Sequence, residues 1–527
     1  MTTTHPQEVE LKLALPPEQA AAFLKRMARR RSVPVQQDLV TRYFDTPDFA
    51  LSAQGVALRV RRVGRRWLQT LKTEGERQGG LSRRAEYEMP VAGDAPDWTR
   101  FPPEALAWVP EALRDALVPV FETHFHRTAW LLKGKGGAVI EVALDVGEVR
   151  AGERSQPICE IELELKAGQP DALFELALAW ADAFECLPFD ISKAERGVRL
   201  AQGEADAPLK SAAMQLDGGM SVEDGFAAIV QVCLAQFQSN LPGVFASNDI
   251  EYVHQARVAL RRLRAALRLY RKACVLPDAL MDGLRTLAAA LGPARDWDVL
   301  LAETLPAIAP HCPDPDAWQR GMQVLEAHRI DVRSAMQTAI RLGHPGAWLL
   351  AVQRWLLQRG WRAVPPAQRL IQLSPLEQWA RRAMQKGHRR VARGARDFDK
   401  LEAAQRHALR IAIKRQRYAV EFFQPLFGGY PDGHQRRQAR YLAALRDAQD
   451  SLGRSNDAHV AWVLLTTAHT TPHVLENVVD RSPLGPAVDA GPMGQFVLGW
   501  LAAKLTETAN DESAGAVRDI LKLKRDW

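Results

Sequence analysis

Glu8, Glu10 and Lys12 stand at alternate positions of the stretch Glu8-Val9-Glu10-Leu11-Lys12. On a β-strand alternate residues share a face, so two carboxylates and an ammonium point one way while Val9, Leu11 and Leu13 point the other. Later stretches repeat the design. Arg59 and Arg61 share a face, as do Thr70 and Lys72, then Arg84, Glu86 and Glu88, then Glu141, Ala143 and Asp145, and then Glu160, Glu162 and Glu164. The intervening positions are mostly apolar: Leu58, Val60, Leu71, Val142, Leu144, Ile161, Leu163 and Leu165. One such strand reads as the wettable side of an antiparallel sheet. A whole set of them poses a choice: the polar faces look into water, or they line a lumen. Buried charge is costly unless paired or bound to metal. A lumen walled by acids and bases therefore makes sense if it holds a polyanion with divalent cations, carboxylates on the metal and Arg and Lys on phosphate oxygens.

The elements that must carry these residues follow from periodicity and turn signals. Besides the opening strand, strand-like segments run over Leu39–Phe44, Val56–Arg62, Trp67–Lys72, Arg84–Pro90, Thr123–Leu132, Ala138–Leu144 and Pro157–Leu165, most of them separated by glycine turns. Helices are expected at Pro16–Arg31, Leu106–Leu117 and Asp171–Phe184. Many antiparallel strands with few helices suggest a closed or nearly closed barrel, an α+β domain. His124 and His126 read as surface histidines, and Cys159, opposite in parity to Glu160, is expected to face the outer layer.

Ala201 to Gly219 is small and polar and reads as a linker. Helical patterns then dominate to about residue 508, with no convincing strand. From Ile250 to Cys274, His254, Arg257, Arg261, Arg264, Arg268 and Arg271 recur at helical spacing as one stripe without an acid, and Val253, Ala256, Leu260, Leu263, Leu267 and Tyr270 form an apolar stripe beside it. The pattern returns as His407, Arg410, Lys414 and Arg417, and Leu291-Gly292 to Asp298-Val299 returns as Leu452-Gly453 to His459-Val460. Two motifs repeated in the same order mark an internal duplication, expected to give two helical bundles related by a pseudo-twofold with the basic helices facing across a groove. Trp348, Trp355, Trp361 and Trp379 read as core.

Composition sets the bounds. The 527 residues suit two to four domains, with 47% hydrophobic and 25% charged residues. No run is long and apolar enough for a membrane span, the first residues lack the regions of a signal peptide, and five scattered cysteines without a C-x-x-C fit a reduced, cytoplasmic setting. Residues 1–210 carry 28 basic and 31 acidic side chains, the remainder 41 and 31, so an anionic partner is expected for the second half.

The ordered set of motifs resembles the CYTH family, the triphosphate tunnel metalloenzymes. It comprises Glu8-x-Glu10-x-Lys12, Tyr43-Phe44-Asp45-Thr46-Pro47, Gly55 to Arg61, Leu71-Lys72, Arg84 to Glu88, Asp145, Glu160 to Glu164 and Ser192-Lys193, over about residues 5–202. The resemblance implies that Glu8 and Glu10 hold a divalent metal, with Glu162 and Glu164 across the lumen. It implies phosphate contacts from Lys12, Arg59, Arg61, Lys72, Arg127 and Lys193. Asp145 or Glu160 would orient a second metal or the water, and Arg84 would support the wall as an internal pair with Glu86 or join the substrate contacts. Lys12, Lys72, Asp145 and Lys193 join the two metal-binding glutamates as the implied catalytic group. Mg²⁺ or Mn²⁺ suits an all-carboxylate site. A metal on the phosphate oxygens and an oriented water would hydrolyse inorganic triphosphate to pyrophosphate and phosphate; no nucleophile triad or P-loop competes. The second half resembles the CHAD domain, all-helical and polyphosphate-binding, over about 220–510. It implies contacts from His254, Arg257, Arg261, Arg262, Arg264 and Arg268, and from His407, Arg410, Lys414, Arg415 and Arg417; Glu421 stands where the partner of Arg268 would be basic. Asp296 and Asp457 could instead pair with these arginines inside the bundle.

The expected domains are a tunnel over 1–202, a linker over 203–220, a helical polyphosphate-binding domain over 221–510 and a tail over 511–527. Rival readings are a hydrolase or cyclase acting on thiamine triphosphate or ATP, and a non-catalytic polyphosphate scaffold. Nucleic acid fits the second half less well, because its basic groove has few aromatics for base stacking.

Overall fold

The computed structural model describes residues 7–466, 489–507 and 512–523. The chain forms two compact units: one reaches to Ala207 and includes His344–Arg359, the other comprises Pro208–Gly343 and the chain from Gly360 onward.

The first unit contains ten strands: β1 (Gln7–Ala14), β2 (Val35–Asp45), β3 (Ala57–Val63), β4 (Arg66–Lys72), β5 (Glu76–Gln78), β6 (Leu81–Val91), β7 (Val118–Lys133), β8 (Val139–Ala151), β9 (Arg154–Ala167) and β10 (Leu187–Pro188). Eight form a closed antiparallel ring in the order β1-β9-β8-β7-β2-β3-β4-β6, sealed by β6 pairing back onto β1 through Leu11↔Leu81 to Gln7↔Ala85. Closure leaves no open edge in the ring. Short β5 and β10 attach at its margin and went unread in the sequence.

The apolar faces of the strands look outward and are covered. Helix Ala20–Met27 and helix Asp171–Phe184 lay Phe23, Trp180 and Phe184 onto Leu11, Leu13, Trp130, Val142, Ile161 and Leu163. Phe23 meets Trp180 edge-on at 5.3 Å and Phe184 at 5.4 Å, and each buried large side chain contributes about 1.5–3 kcal/mol. Cys159 packs against this outer core, as its parity requires. A second outer patch of Phe44, Leu58, Val60, Leu71 and Tyr87 is covered by Leu51, Phe101 and Ala105. There the expected helix Leu106–Leu117 is instead two single-turn helices, Pro103–Leu106 and Glu111–Arg114, because Pro110 has no amide hydrogen to continue the ladder. The expected helix Pro16–Arg31 is likewise shorter, a 3₁₀ turn at Pro17–Gln19 followed by Ala20–Met27.

One end of the ring is filled. Leu39, Tyr43, Phe121, Phe125, Val149 and Ile158 form a small apolar layer, and Ala194 and Val198 of helix Lys193–Gln202 pack onto it. Gly197 allows this: a β-carbon there would lie 2.0 Å from the Phe121 ring. Ser192 caps the helix by accepting from the Glu195 amide.

Helix Pro345–Leu357, expected in the helical domain, packs within the first unit. Leu350 joins the outer core, Arg354 donates to both oxygens of Asp171 at 2.7 Å, and Gly346 lies so close to the Cys186 carbonyl that a β-carbon would sit 1.8 Å away.

The second unit has no strand among its described residues. Helix Val222–Ala246 packs on helix Ile250–Tyr270, and the two helices with the repeated basic motif, Ile250–Tyr270 and Ala403–Phe423, pack on each other. Trp361 is fully buried and Trp379 lies tilted against Tyr270 at 4.4 Å, while Trp348 and Trp355, on the first unit's helix Pro345–Leu357, are nearly buried. The expected tail contains a helix, Glu512–Lys522.

Candidate active site and basic cavity

The polar faces of the ring look inward. Glu8, Glu10, Lys12, Arg59, Arg61, Lys72, Arg84, Arg127, Glu162, Glu164 and Lys193 all border one cavity of about 740 Å³. Strand order polarises it: β3, with Arg59 and Arg61, is four strands round the ring from β9, with Glu162 and Glu164. β9 is not across the lumen from β1, as expected, but its direct neighbour, with Glu10↔Glu164 and Lys12↔Glu162 in register. Ring closure makes the first strand and the last long strand adjacent, so the acids of both form one wall.

Lys72 reaches Glu8 at 2.9 and 3.0 Å, and Arg84 reaches it at 2.9 Å. Burial pushes the Glu8 carboxyl up, but these two cations outweigh it and hold it well below the usual carboxylate range. The expected Arg84–Glu86 pair is not formed. Arg84 turns to Glu8 and, at 3.6 Å, Glu10, while Glu86 meets Lys72 at 3.2 Å and Arg59 at 3.5 Å. Neighbours on one strand face diverge, and adjacent strands bring closer partners.

Asp145 and Glu160 are fully buried behind the cavity wall. Asp145 accepts from Arg127 at 2.7 Å through each oxygen and from Lys193 at 2.6 Å. Glu160 pairs with Lys193 and, at 2.5 Å, with Arg196. Glu162 takes Lys193 at 2.8 Å and also pairs with Arg127. Arg196 escaped the sequence reading, although its position one turn after Lys193 was a signal for it.

Asp145, Glu160 and Glu162 each bring an oxygen within 4.8 Å of the others, a set that could hold a metal ion. The Lys193 ammonium, however, already bonds to all three, and Arg127 and Arg196 add positive charge beside them, so Asp145 and Glu160 in particular are already paired. Glu10 is different. It is buried, and its nearest cations are Lys12 at 3.5 Å and Arg84 at 3.6 Å, beyond hydrogen-bond distance. Burial, Glu162 and Glu8 push its carboxyl up. A buried acid held only by long ion pairs, next to Glu162 and Glu164, fits a hard divalent cation. The converse holds on the basic wall. Arg61 donates to Thr41 at 3.1 Å, and no carboxylate lies in ion-pair range of it among the described residues. Burial with Arg59 and Arg127 nearby lowers it to about 9. Tyr43, stacked on Phe121 at 4.5 Å, also borders the cavity; burial raises its hydroxyl, but Arg59, Arg61 and Lys193 win and lower it. No role was read for it in the sequence. His124 and His126 lie outside the ring, bonded to Glu122 at 2.9 Å and Asp38 at 2.8 Å.

In the second unit a cavity of about 230 Å³ is bordered from both repeats, by His254, Arg257, Arg261 and Asp296, and by Arg410, Lys414 and Asp457. Arg295 borders it as well, paired with Glu303 at 2.8 Å, and was not singled out in the sequence. Arg257 is 4.0 Å from Asp296, so this acid does pair with the stripe. Arg261 donates to Tyr418 at 2.6 Å. Burial and four arginines lower Lys414 to about 7. The other expected contacts lie elsewhere. Arg262 covers the Phe422 ring, because consecutive helix positions are about 100° apart and it cannot share the face of Arg261. Arg417 is taken by Glu421 at 2.6 Å. Arg264, Arg268 and His407 are exposed, and Arg415 lies among Arg268, Arg390 and Arg271.

A curated inorganic triphosphatase from Haemophilus influenzae is 37% identical over 204 residues, which are 37% of this chain and 55% of the relative. The match spans about half the length of that protein. Among solved structures, the CHAD domain from the plant Ricinus communis is 31% identical, covering 61% of this chain and 98% of that one with a TM-score of 0.49. A putative adenylyl cyclase from Hippeastrum, described as having a dominant triphosphatase activity, is 18% identical, covering 38% and 97% with a TM-score of 0.28. Two family models match, CYTH over residues 6–198 and CHAD over residues 228–466. With a closed ring of inward-facing charge in the first unit and only helices among the described residues of the second, the chain carries a CYTH domain over its first part and a CHAD domain after it in sequence.

Proposed function

We propose that the first unit hydrolyses inorganic triphosphate to pyrophosphate and phosphate with a divalent metal, Mg²⁺ or Mn²⁺, and that the helical unit binds inorganic polyphosphate. The observation that carries the first half is the arrangement of charge across one lumen: on one wall Glu10 is held only by two long ion pairs, to Lys12 at 3.5 Å and Arg84 at 3.6 Å, and on the other Arg61 has no carboxylate in ion-pair range among the described residues. A linear phosphate chain with its metal supplies a counter-charge to each. Glu8, Glu10, Glu162 and Glu164 would hold the metal, which contributes Lewis acidity toward phosphate oxygens when bound. Lys12, Arg59, Arg61, Lys72, Arg84, Arg127 and Lys193 neutralise and orient the phosphates, which is most of what phosphoryl transfer asks of a protein. Asp145 and Glu160 act behind them, fixing Arg127 and Lys193. In the helical unit, Arg257, Arg261, Arg410 and Lys414 would bind the longer anion.

Phosphate release from inorganic triphosphate, measured with and without Mg²⁺ beside ATP and thiamine triphosphate, tests the first half. Glu10→Gln is expected to lower Mg²⁺-dependent turnover by roughly 10²–10³, the scale of losing a preorganised electrostatic contact. Equal turnover in wild type and variant would point to a binding scaffold.

A further inference from the structure

Resting on the triphosphatase reading above, we propose that helix Pro345–Leu357 is a positioning element of the lumen: through Gly346 and Gln353 it seats the two segments that hold the main chain of Lys12, and so sets where the Lys12 ammonium meets phosphate. In the chain this helix is flanked on both sides by the second unit, yet it packs in the first. On one side of β1, Lys12 pairs in register with Glu162. On the other, its amide donates to the Gly80 carbonyl at 2.9 Å and its carbonyl accepts from the Phe189 amide at 3.0 Å. The Gly80 amide in turn donates to Asp190 at 2.6 Å, so the Gly79-Gly80 turn and the segment after β10 are tied to each other as well as to Lys12.

Both segments rest on this one helix. Gln353 is buried and covers the turn: a β-carbon on Gly79 would lie 2.3 Å from its side chain. Seven residues earlier, two turns along the same helix face, Gly346 lies against the Cys186 carbonyl and the α-carbon of Leu187, the first residue of β10. β10 pairs with β1 next to Lys12, through Leu13↔Pro188 and Ala14↔Leu187. The helix is anchored in its turn by Asp171, which accepts from Arg354 and from Gln358 at 2.7 Å, and by Leu350 in the outer core. The chain enters it through His344 at φ 46° and leaves it through Arg359 at φ 50°, and Glu185 before Cys186 stands at φ 50°. Such left-handed conformations cost non-glycine residues about 1–3 kcal/mol each and persist only where the surroundings over-determine them. The ammonium that this frame carries stands 3.5 Å from both Glu10 and Glu162. A shift of the Lys12 main chain therefore moves a cation against the acids read as metal ligands.

The test uses the full chain and measures its affinity for inorganic triphosphate by calorimetry without metal, so that nothing is hydrolysed. The variants are Gly346→Ala, Lys12→Ala and the two combined, with Gln353→Ala as a milder form of the first. Gly346→Ala is expected to weaken binding roughly tenfold where Lys12 is present, the scale of spoiling one charge-assisted contact, and to change nothing further in Lys12→Ala. Gln353→Ala is expected to act in the same direction by less. A helix that only stabilises the fold would weaken both backgrounds alike. Amide exchange at Lys12 and Phe189 is expected to quicken in Gly346→Ala and Gln353→Ala while β8 keeps its rate. Equal losses in the two backgrounds, unchanged affinity in both helix variants, or exchange that quickens as much in β8 overturns the proposal. Wild type that binds triphosphate but does not hydrolyse it with Mg²⁺ overturns the triphosphatase reading alone, since affinity and exchange still show whether the helix positions Lys12.

Discussion

At the scale of single residues, the first unit separates groups that face substrate from groups that hold them. Asp145 is fully buried and anchors Arg127 and Lys193 without bordering the cavity. Asp145→Asn is expected to cost about 3–5 kcal/mol, since breaking a buried ion pair strands the remaining charge. At a temperature where it stays folded, kcat should fall more than KM rises; chemical unfolding and steady-state kinetics measure the two effects. Arg61→Ala should do the reverse, raising KM for triphosphate by roughly tenfold or more through loss of a charge-assisted contact, while stability holds or rises because a half-buried cation without a paired carboxylate is gone. Side-chain alternation made Glu8, Glu10, Lys12, Arg59 and Arg61 legible in the sequence. Pairing was not legible: Arg84 and Glu86 share a strand face, yet each finds its partner on another strand.

At the scale of elements, two helix contacts can be tested. Glu223 in helix Val222–Ala246 accepts from Arg362 at 2.7 Å, Arg369 at 2.7 Å and the Trp361 indole at 2.9 Å. Burial raises its carboxyl, but these donors lower it to about 2. A depressed folded value means stability that is fully present above the ordinary carboxylate range and is lost as pH falls from about 4.5 toward 2. Glu223→Gln should therefore lower the unfolding free energy at pH 7 by about 2–4 kcal/mol and flatten its fall in that acid window. Gly197→Ala should push helix Lys193–Gln202 off Phe121 and displace Lys193, reducing triphosphate turnover. Periodicity alone located Asp171–Phe184 to the residue, because a long amphipathic pattern has little competition. It failed over Leu106–Leu117, where Pro110 outweighed an apolar spacing.

At the scale of the whole molecule, the two units offer separable readouts. Lys414 is lowered to about 7 by burial and its arginine neighbours, so it carries its charge below that pH and loses it above. Polyphosphate affinity is expected to fall as pH rises from about 6 to 8, by roughly tenfold for one charge in a partly buried cavity. Lys414→Arg should flatten that profile. Titration of long-chain polyphosphate into the full chain at several pH values checks it, with Glu10→Gln as the background so that turnover does not consume the ligand.

The amino-acid order alone determined which residues share a face, where the chain turns from strand to helix, and that a basic helical motif occurs twice. These are local facts, set by a period of two residues in strands and 3.6 in helices. Tertiary structure decided which face looks inward, because that depends on distant helices covering the apolar side. It also decided that β1 and β9 are neighbours, that Lys193 bonds to three acids while Glu10 makes only long ion pairs, and that helix Pro345–Leu357 belongs to the first unit. Each of these rests on contacts between residues far apart in the chain, which no local period encodes.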